Sequence, residues 1–219
     1  MQVFKRAVSK LIPLIIILLV YQKISAQNFE GEILFSKETP EDTTIYNYLI
    51  KGNKIRIEEL NHNYQLVNYM IVDVSERSIV ALNPGRKLYA DIPVHYWRAD
   101  KDTSDFTILK TGNYQFIKGY KCFQWRVQNK KENTEVAYWV ANEPVNIFPE
   151  FLKTINLSEK TSIYFLMVPE TDGYFPMLSV ERSFLRELRM QLTVIKFQKK
   201  SLPVSLFEIP EGFRMFQKN

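Results

Sequence analysis

The segment YNYLIKGNKIRIE, residues 46–58, carries the pattern that decides the fold. Apolar and aromatic side chains occupy every second position on both sides of a central turn: Tyr46, Tyr48 and Ile50 before it, Ile55 and Ile57 after it. A period of two is the repeat of a β-strand that buries one face. Gly52 and Asn53 suit the tight turn between two such strands. The segment therefore predicts a β-hairpin.

The same alternation recurs along most of the chain. Further strands are predicted at 29–35, 66–74, 78–82, 87–92, 106–110, from 114 to 128, and at 135–141. Turn residues separate them, as in Asn83-Pro84-Gly85, where proline presets φ and glycine accepts a positive φ. A last strand is predicted at Leu206–Ile209, ended by Pro210, which cannot donate to a ladder.

One segment in the second half has helical spacing. Ile147, Phe151, Leu152 and Ile155 recur three or four positions apart, and Pro149 suits a first helical turn, so we predict a helix near 147–156. The sequence leaves helix or strand open for residues 157–187. At 188–195 a strand competes with a helix over 183–192, and the β-branched Thr193, Val194 and Ile195 favour the strand.

Together these segments predict a mainly β protein of the α+β class. About nine to eleven strands with short connections favour antiparallel pairing. We expect a curved, mostly antiparallel open β-barrel or half-barrel, with one or two helices packed on its concave side. Residues 27–219 are expected to form a single domain.

The first 26 residues have the pattern of a secretory signal peptide. Lys5, Arg6 and Lys10 precede an apolar run at 11–20 that ends before the small residues Ser25 and Ala26. About ten apolar residues are too short to span a bilayer, which needs about twenty. We expect cleavage near Ala26 and a periplasmic or secreted, soluble product, although an uncleaved anchor is the alternative. No cysteine near the site could carry a lipid.

Charge and cysteine content exclude some classes of protein. Residues 1–26 hold four basic residues and no acidic one, so the rest of the chain has 25 basic and 24 acidic residues. This near-neutral remainder argues against a broad nucleic-acid-binding surface. Cys122 is the only cysteine, which excludes an internal disulfide, and we expect it to be buried rather than reactive.

The sequence predicts no catalytic, cofactor or metal site. His62 and His95 are the only histidines; we expect His62 in a solvated turn and His95 partly buried. No Gly-x-Ser-x-Gly elbow, phosphate-binding glycine loop or clustered metal-ligand motif is present. We therefore expect a non-enzymatic protein that needs no cofactor. A periplasmic hydrolase using a histidine base is the competing hypothesis.

Arg182, Arg186 and Arg189 have two interpretations. On a helix over 182–189 they would form one basic stripe. On two strands around a turn they are exposed charges, and the β-branched residues that follow favour this arrangement.

Three stretches together resemble a known family. They are Tyr48–Ile57, Gly119-Tyr120-Lys121-Cys122 followed by Tyr138-Trp139-Val140, and Phe207-Glu208-Ile209-Pro210-Glu211-Gly212-Phe213. Their order and spacing resemble a family of uncharacterised exported bacterial domains similar to the LolA/LolB-type lipoprotein-carrier fold. The resemblance implies an incompletely closed β-barrel wrapped on helices, and it implies no catalytic residue.

The aromatic content and the open sheet together predict a binding module. An open curved sheet can leave an apolar trough under a helix, suited to a lipophilic or amphipathic ligand of the cell envelope, such as a lipid or a lipoprotein. The predicted trough wall comprises Trp97, Trp125, Trp139, Phe151 and Leu152. Two alternatives stay open: the aromatic residues only fill the core, or an open sheet edge binds an envelope or outer-membrane protein.

Overall fold

Twelve strands form one sheet in the part of the chain that the structure describes. The structure is a computed structural model that describes residues 29–98 and 103–216, so the predicted signal peptide, residues 1–26, lies outside it. The mainly β prediction is confirmed, with one strand more than the upper end of the predicted range.

The strands and helices follow one another along the chain without a long interruption. They are β1 (Gly31–Glu38), β2 (Thr43–Lys51), β3 (Lys54–Leu60), β4 (Leu66–Asp73), β5 (Ser78–Asn83), β6 (Leu88–Ile92), β7 (Phe106–Ile117), β8 (Tyr120–Asn129), β9 (Thr134–Ala141), α1 (Phe148–Ile155), α2 (Lys160–Met167), β10 (Phe175–Arg182), β11 (Leu188–Lys199) and β12 (Arg214–Met215). A short 3₁₀ helix, Val204–Phe207, precedes β12.

The sheet is antiparallel except at one edge. Its order is β12-β6-β5-β4-β3-β2-β1-β11-β10-β9-β8-β7, and only β12 pairs in parallel, with β6. The predicted hairpin is present as β2 and β3, in which Ile50 lies opposite Ile55 and Gly52 has a φ of 57°. Within residues 29–98 and 103–216 the sheet does not close, because β7 and β12 lie at its two edges.

Strand β7 joins two segments that the sequence separated. Its register with β8 shifts between Lys110 and Tyr114, so a bulge at Thr111-Gly112-Asn113 interrupts the pairing. Glycine in a strand commonly marks such a bulge. The pause in alternation after Lys110 therefore records a bulge inside one strand rather than a loop between two.

Helix α1 confirms the helix predicted near 147–156. Pro149 lies in its first turn, and Asn156 ends it in the left-handed conformation, with a φ of 45° and its N–H donated to the Leu152 carbonyl. Part of the open 157–187 stretch is a second helix, α2, and β10 follows. The strand favoured at 188–195 is confirmed as part of β11.

The strand predicted at Leu206–Ile209 is wrong. Residues 204–207 form the 3₁₀ helix, and Phe207 is buried against Leu49 and Leu202. The segment crosses one face of the sheet instead of joining an edge: the Arg56 guanidinium donates to the Leu206 carbonyl at 3.1 Å. One buried aromatic residue between exposed neighbours produced the alternation, and the final strand, β12, begins later at Arg214.

The main core lies between the helices and one face of the sheet, which we call the inner face. It contains alternate residues of the strands, such as Phe35, Ile57 and Tyr138, together with Phe151 of α1 and Phe165 of α2. The Tyr138 hydroxyl donates to the Thr161 carbonyl at 2.8 Å, which ties β9 to α2. Cys122 is fully buried, as predicted.

Candidate functional site

Two adjoining cavities lie on the inner face. The larger, which we call the trough, has a volume of about 440 Å³ and runs over β3 to β6. The smaller, which we call the inner pocket, has a volume of about 120 Å³ and lies beneath the helices, against residues such as Leu152 and Phe165. Tyr46, Ile57 and Met70 line both cavities, so the inner pocket continues the trough under the helices.

Small side chains form the floor of the trough. Ala81 and Ala90 face each other across β5 and β6, and Ala81 also lies opposite Met70 of β4. All three residues line the trough. Two methyl groups in adjacent strands cannot fill the space that larger residues fill elsewhere, and the helices contact β4, β9 and β10 rather than β5 and β6. The inner face therefore stays open over these strands.

Polar side chains gather at one end of the trough. Glu59 lies opposite Asn68 across β3 and β4, and the Asn83 amide donates to the Asn68 amide oxygen at 2.9 Å. Asn83 also accepts the backbone N–H of Arg86, whose side chain is exposed. All four residues line the trough, and together we call them its polar rim. The cavity thus combines an apolar floor with hydrogen-bonding and charged groups at one end.

The inner pocket has an ion pair in its wall. Lys37 of β1 binds Glu159, which precedes α2, and both residues line the pocket. Burial alone would lower the pKa of Lys37, but its hydrogen bond and attraction to Glu159 together raise that pKa above its usual value. Nearby, burial raises the pKa of Tyr48 well above its usual range. Lysine and tyrosine therefore stay protonated here at neutral pH.

The five residues of the predicted wall lie in different places. Leu152 lines the inner pocket, and Phe151 is fully buried beside it, with its ring 5.7 Å from that of Tyr48. Trp125 is buried against Tyr174.

The other two tryptophans lie further from both cavities. Trp97 is half-buried and donates its backbone N–H to the Lys153 carbonyl at the end of α1. Trp139 lies beside Tyr138 on the opposite face of β9, in a shallow depression with Arg126. Small residues in β5 and β6 were the available signal for the trough, and the sequence analysis did not use them.

Groups associated with catalysis are dispersed. His62 is exposed in the β3–β4 turn, and His95, expected to be partly buried, is exposed as well. Burial raises the pKa of Cys122 to about 11, so its thiol stays protonated at neutral pH. Among the described residues, no three His, Cys, Asp or Glu side chains are grouped so that they could bind a metal ion.

None of the helices in residues 29–98 and 103–216 has the length and hydrophobicity needed to cross a membrane.

Comparison with solved structures supports the fold. The chain is similar to the crystal structure of an uncharacterized conserved protein from Thermus thermophilus, with a TM-score of 0.52 and 9% identity over 85% of this chain and 89% of that one. It also matches PNGF-II in the C2 and P21 space groups, with TM-scores of 0.42 and 0.40, 10% identity in each case, and coverage of 86% and 85% of this chain and 30% and 31% of those chains. Comparison with curated proteins gave no significant match.

A family model matches residues 29–213, which is most of the chain and includes both cavities. The model describes a domain of unknown function, in agreement with the uncharacterised domain family that the sequence motifs indicated. This chain therefore belongs to the DUF4412 family, a domain of unknown function.

Proposed function

We propose that this protein is a non-enzymatic binding protein that holds a lipophilic or amphipathic ligand in the trough. The observation that supports this proposal is the continuity of the two cavities through Tyr46, Ile57 and Met70. An apolar chain lying on Ala81 and Ala90 could extend past Met70 into the inner pocket. Sites for small ligands are concave and mostly apolar, commonly about 300–1,000 Å³ in volume, with few polar groups that fix orientation.

The polar rim supports an amphipathic ligand over a purely apolar one. Arg86 is a cation at the edge of the trough, and Asn68 and Asn83 offer amide groups beside it. A guanidinium binds carboxylate and phosphate groups with paired hydrogen bonds. The proposed ligand therefore places an anionic or hydroxylated head at the rim and its apolar part over Met70.

The test is ligand binding by a variant whose trough is filled. Native mass spectrometry of the purified protein should detect a copurified lipid, and palmitoyl lysophosphatidylglycerol should displace a bound apolar dye. Ala81→Phe places a ring over the trough floor, so we expect it to weaken dye binding by about tenfold or more. Ala137→Phe is the matched control, because Ala137 lies beside the outward-facing Trp139, away from the trough.

Two results would count against the proposal. One is a wild-type protein that carries no lipid and releases no dye when the lysophospholipid is added. The other is unchanged dye binding by Ala81→Phe in a variant that unfolds at the same urea concentration as the wild type, since the trough would then not hold the dye.

The resemblance to the LolA/LolB-type lipoprotein-carrier fold fits the proposed role. An incompletely closed sheet with helices on its inner face, as found here, is the architecture that this resemblance implied. Export after removal of residues 1–26 would place the protein in the periplasm or outside the cell, where such a ligand is available. N-terminal sequencing of the protein purified from its native cells tests the cleavage.

A second candidate function is binding of another envelope protein at the β7 edge. Strand β7 has no second neighbour within the described residues and exposes Leu109, Tyr114 and Phe116. Unpaired strand edges can accept an extended segment of another chain. Cross-linking in cells through position 116 should then capture one partner protein, and the capture should fail with Leu109→Lys. A protein that remains monomeric and uncross-linked would contradict this candidate.

A further inference from the structure

The turn between β10 and β11 places two apolar side chains in water. The Arg186 N–H donates to the Ser183 carbonyl at 3.0 Å, so Phe184 and Leu185 occupy the two corner positions of the turn. Such corners usually carry glycine, proline, asparagine, aspartate or serine. Here Phe184 is 39% exposed and Leu185 is 79% exposed. We call these two residues the apolar tip.

The apolar tip is held in this exposed position. Ser183 is buried and donates its N–H to the Glu187 carbonyl at 3.0 Å, which closes the base of the turn. The Phe184 N–H donates to the Asn133 side chain at 3.2 Å, which joins the tip to the β8–β9 turn. The backbone is thus fixed at both ends of the tip, and Leu185 cannot fold back onto the core without breaking these bonds.

Basic residues surround the apolar tip. Segments 129–134 and 182–189 contain five basic and two acidic residues, which are Lys130, Lys131, Arg182, Arg186, Arg189, Glu132 and Glu187. Glu132 is paired with Lys160, and Glu187 accepts the Ser183 hydroxyl. The neighbouring Glu135 is buried against Arg126 and Arg186. This corner of the molecule therefore presents an excess of positive charge to solvent.

We propose that the apolar tip docks the protein on a lipid bilayer that contains anionic lipids. Phe184 and Leu185 would enter the boundary between headgroups and acyl chains, and the surrounding arginine and lysine side chains would bind anionic headgroups. This pairing of apolar insertion with basic flanks is the usual chemistry of reversible membrane attachment. A protein partner fits less well, because stable protein interfaces bury about 1,200–2,000 Å² over broad complementary surfaces, whereas this feature is two side chains on a turn.

The apolar tip and the polar rim lie at the same end of the sheet. The strand pairs Arg182–Leu188, Glu38–Gln191 and Glu38–Thr43 follow that end from β10 to β2. The pairs Leu60–Leu66 and Asn83–Leu88 continue along it to the rim. A ligand leaving a docked bilayer would therefore meet the rim first. This role in loading rests on the proposed function, whereas the membrane contact itself does not.

Vesicle flotation of the purified protein tests the membrane contact. We expect binding to vesicles of phosphatidylglycerol and phosphatidylcholine, and much weaker binding to phosphatidylcholine alone. The double variant Phe184→Ser/Leu185→Ser should lose about tenfold or more in affinity for the mixed vesicles, because the apolar surface that enters the bilayer is removed. Leu109→Ser/Phe116→Ser is the matched control, since it removes two exposed apolar side chains from β7.

The proposal is overturned if the wild type does not bind the mixed vesicles, if it binds neutral vesicles equally well, or if the tip variant binds as the wild type does. Failure of the proposed function would look different. Ala81→Phe should lose dye binding but keep vesicle binding, whereas the tip variant should keep dye binding and lose the vesicles.

Discussion

The same inner face is filled at one end of the strand order and open towards the other. Over β9 and β10 it is covered by α2, and Tyr138, Tyr164 and Phe165 pack there with almost no exposed surface. Over β5 and β6 it carries Ala81 and Ala90, and the trough lies above them. We call these the filled region and the open region.

Two physical differences separate the regions. The filled region receives side chains from both the sheet and a helix, so rings from each side meet, as Phe148 and Phe175 do at 4.8 Å between centroids. In the open region the sheet faces no helix, and its own residues are too small to cover it. A sheet needs a second layer to exclude water from its apolar face. The extent of the helices thus decides where this sheet has a core and where it can hold a ligand.

The largest expected effect distinguishes a ring in the filled region from a side chain at the trough. Phe175 is fully buried among Phe35, Phe148 and Phe197, so Phe175→Ala should lower the free energy of unfolding by about 3–5 kcal/mol. Met70 already borders empty space on one side, so Met70→Ala should cost only about 1 kcal/mol. Urea unfolding of both variants measures the difference. Equal losses would mean that the open region is packed in solution.

A smaller effect is expected from adding volume instead of removing it. Ala141 is 1% exposed and lies opposite Cys122 and Phe175, so Ala141→Leu should cost about 1–3 kcal/mol by overpacking. Ala90 has free space above it, and Ala90→Leu should change stability by less than about 0.5 kcal/mol. Urea unfolding again gives both values. A costly Ala90→Leu would show that its neighbours already use that space.

Local pattern was enough to predict most of the filled region. Alternation in β8 and β9 marked Trp125 and Tyr138 as opposite faces to Gln124 and Trp139, and it placed the hairpins correctly. Helix α1 was predictable because its apolar residues recur on one side only. Helix α2 was not, because its sequence contains the run Ile163-Tyr164-Phe165-Leu166-Met167, and a short continuous apolar run fits a buried strand or a buried helix equally well.

The open region was harder to predict for a different reason. A cavity is defined by side chains that do not reach each other, and the pairing of Ala81 with Ala90 exists only once β5 and β6 are in register. Tryptophan is conspicuous in a sequence, and it drew the predicted wall towards Trp97, Trp125 and Trp139. Large aromatic side chains bury much apolar area and pack readily in cores, as Trp125 does, so their presence does not locate a cavity.

The smallest expected effect concerns a carboxyl group within the filled region. Glu181 of β10 is 9% exposed, and burial raises its pKa above the usual value, because the attraction of Arg189 and Lys160 only partly offsets the loss of solvation. A carboxyl whose pKa is higher in the folded state stabilises the fold fully below its unfolded pKa, and this contribution is lost as pH rises through the folded pKa.

Glu181→Gln removes that ionisation and should therefore raise the free energy of unfolding at pH 8 relative to pH 5, compared with the wild type, by about 1 kcal/mol or less. Urea unfolding at the two pH values measures the change, and taking the difference between the proteins cancels the titration of all other groups. Glu59→Gln is the control from the polar rim, where a partly exposed side chain should change stability little. An identical pH dependence in Glu181→Gln and the wild type would show that water reaches Glu181, and that the filled region is less completely packed at β10 than its side chains indicate.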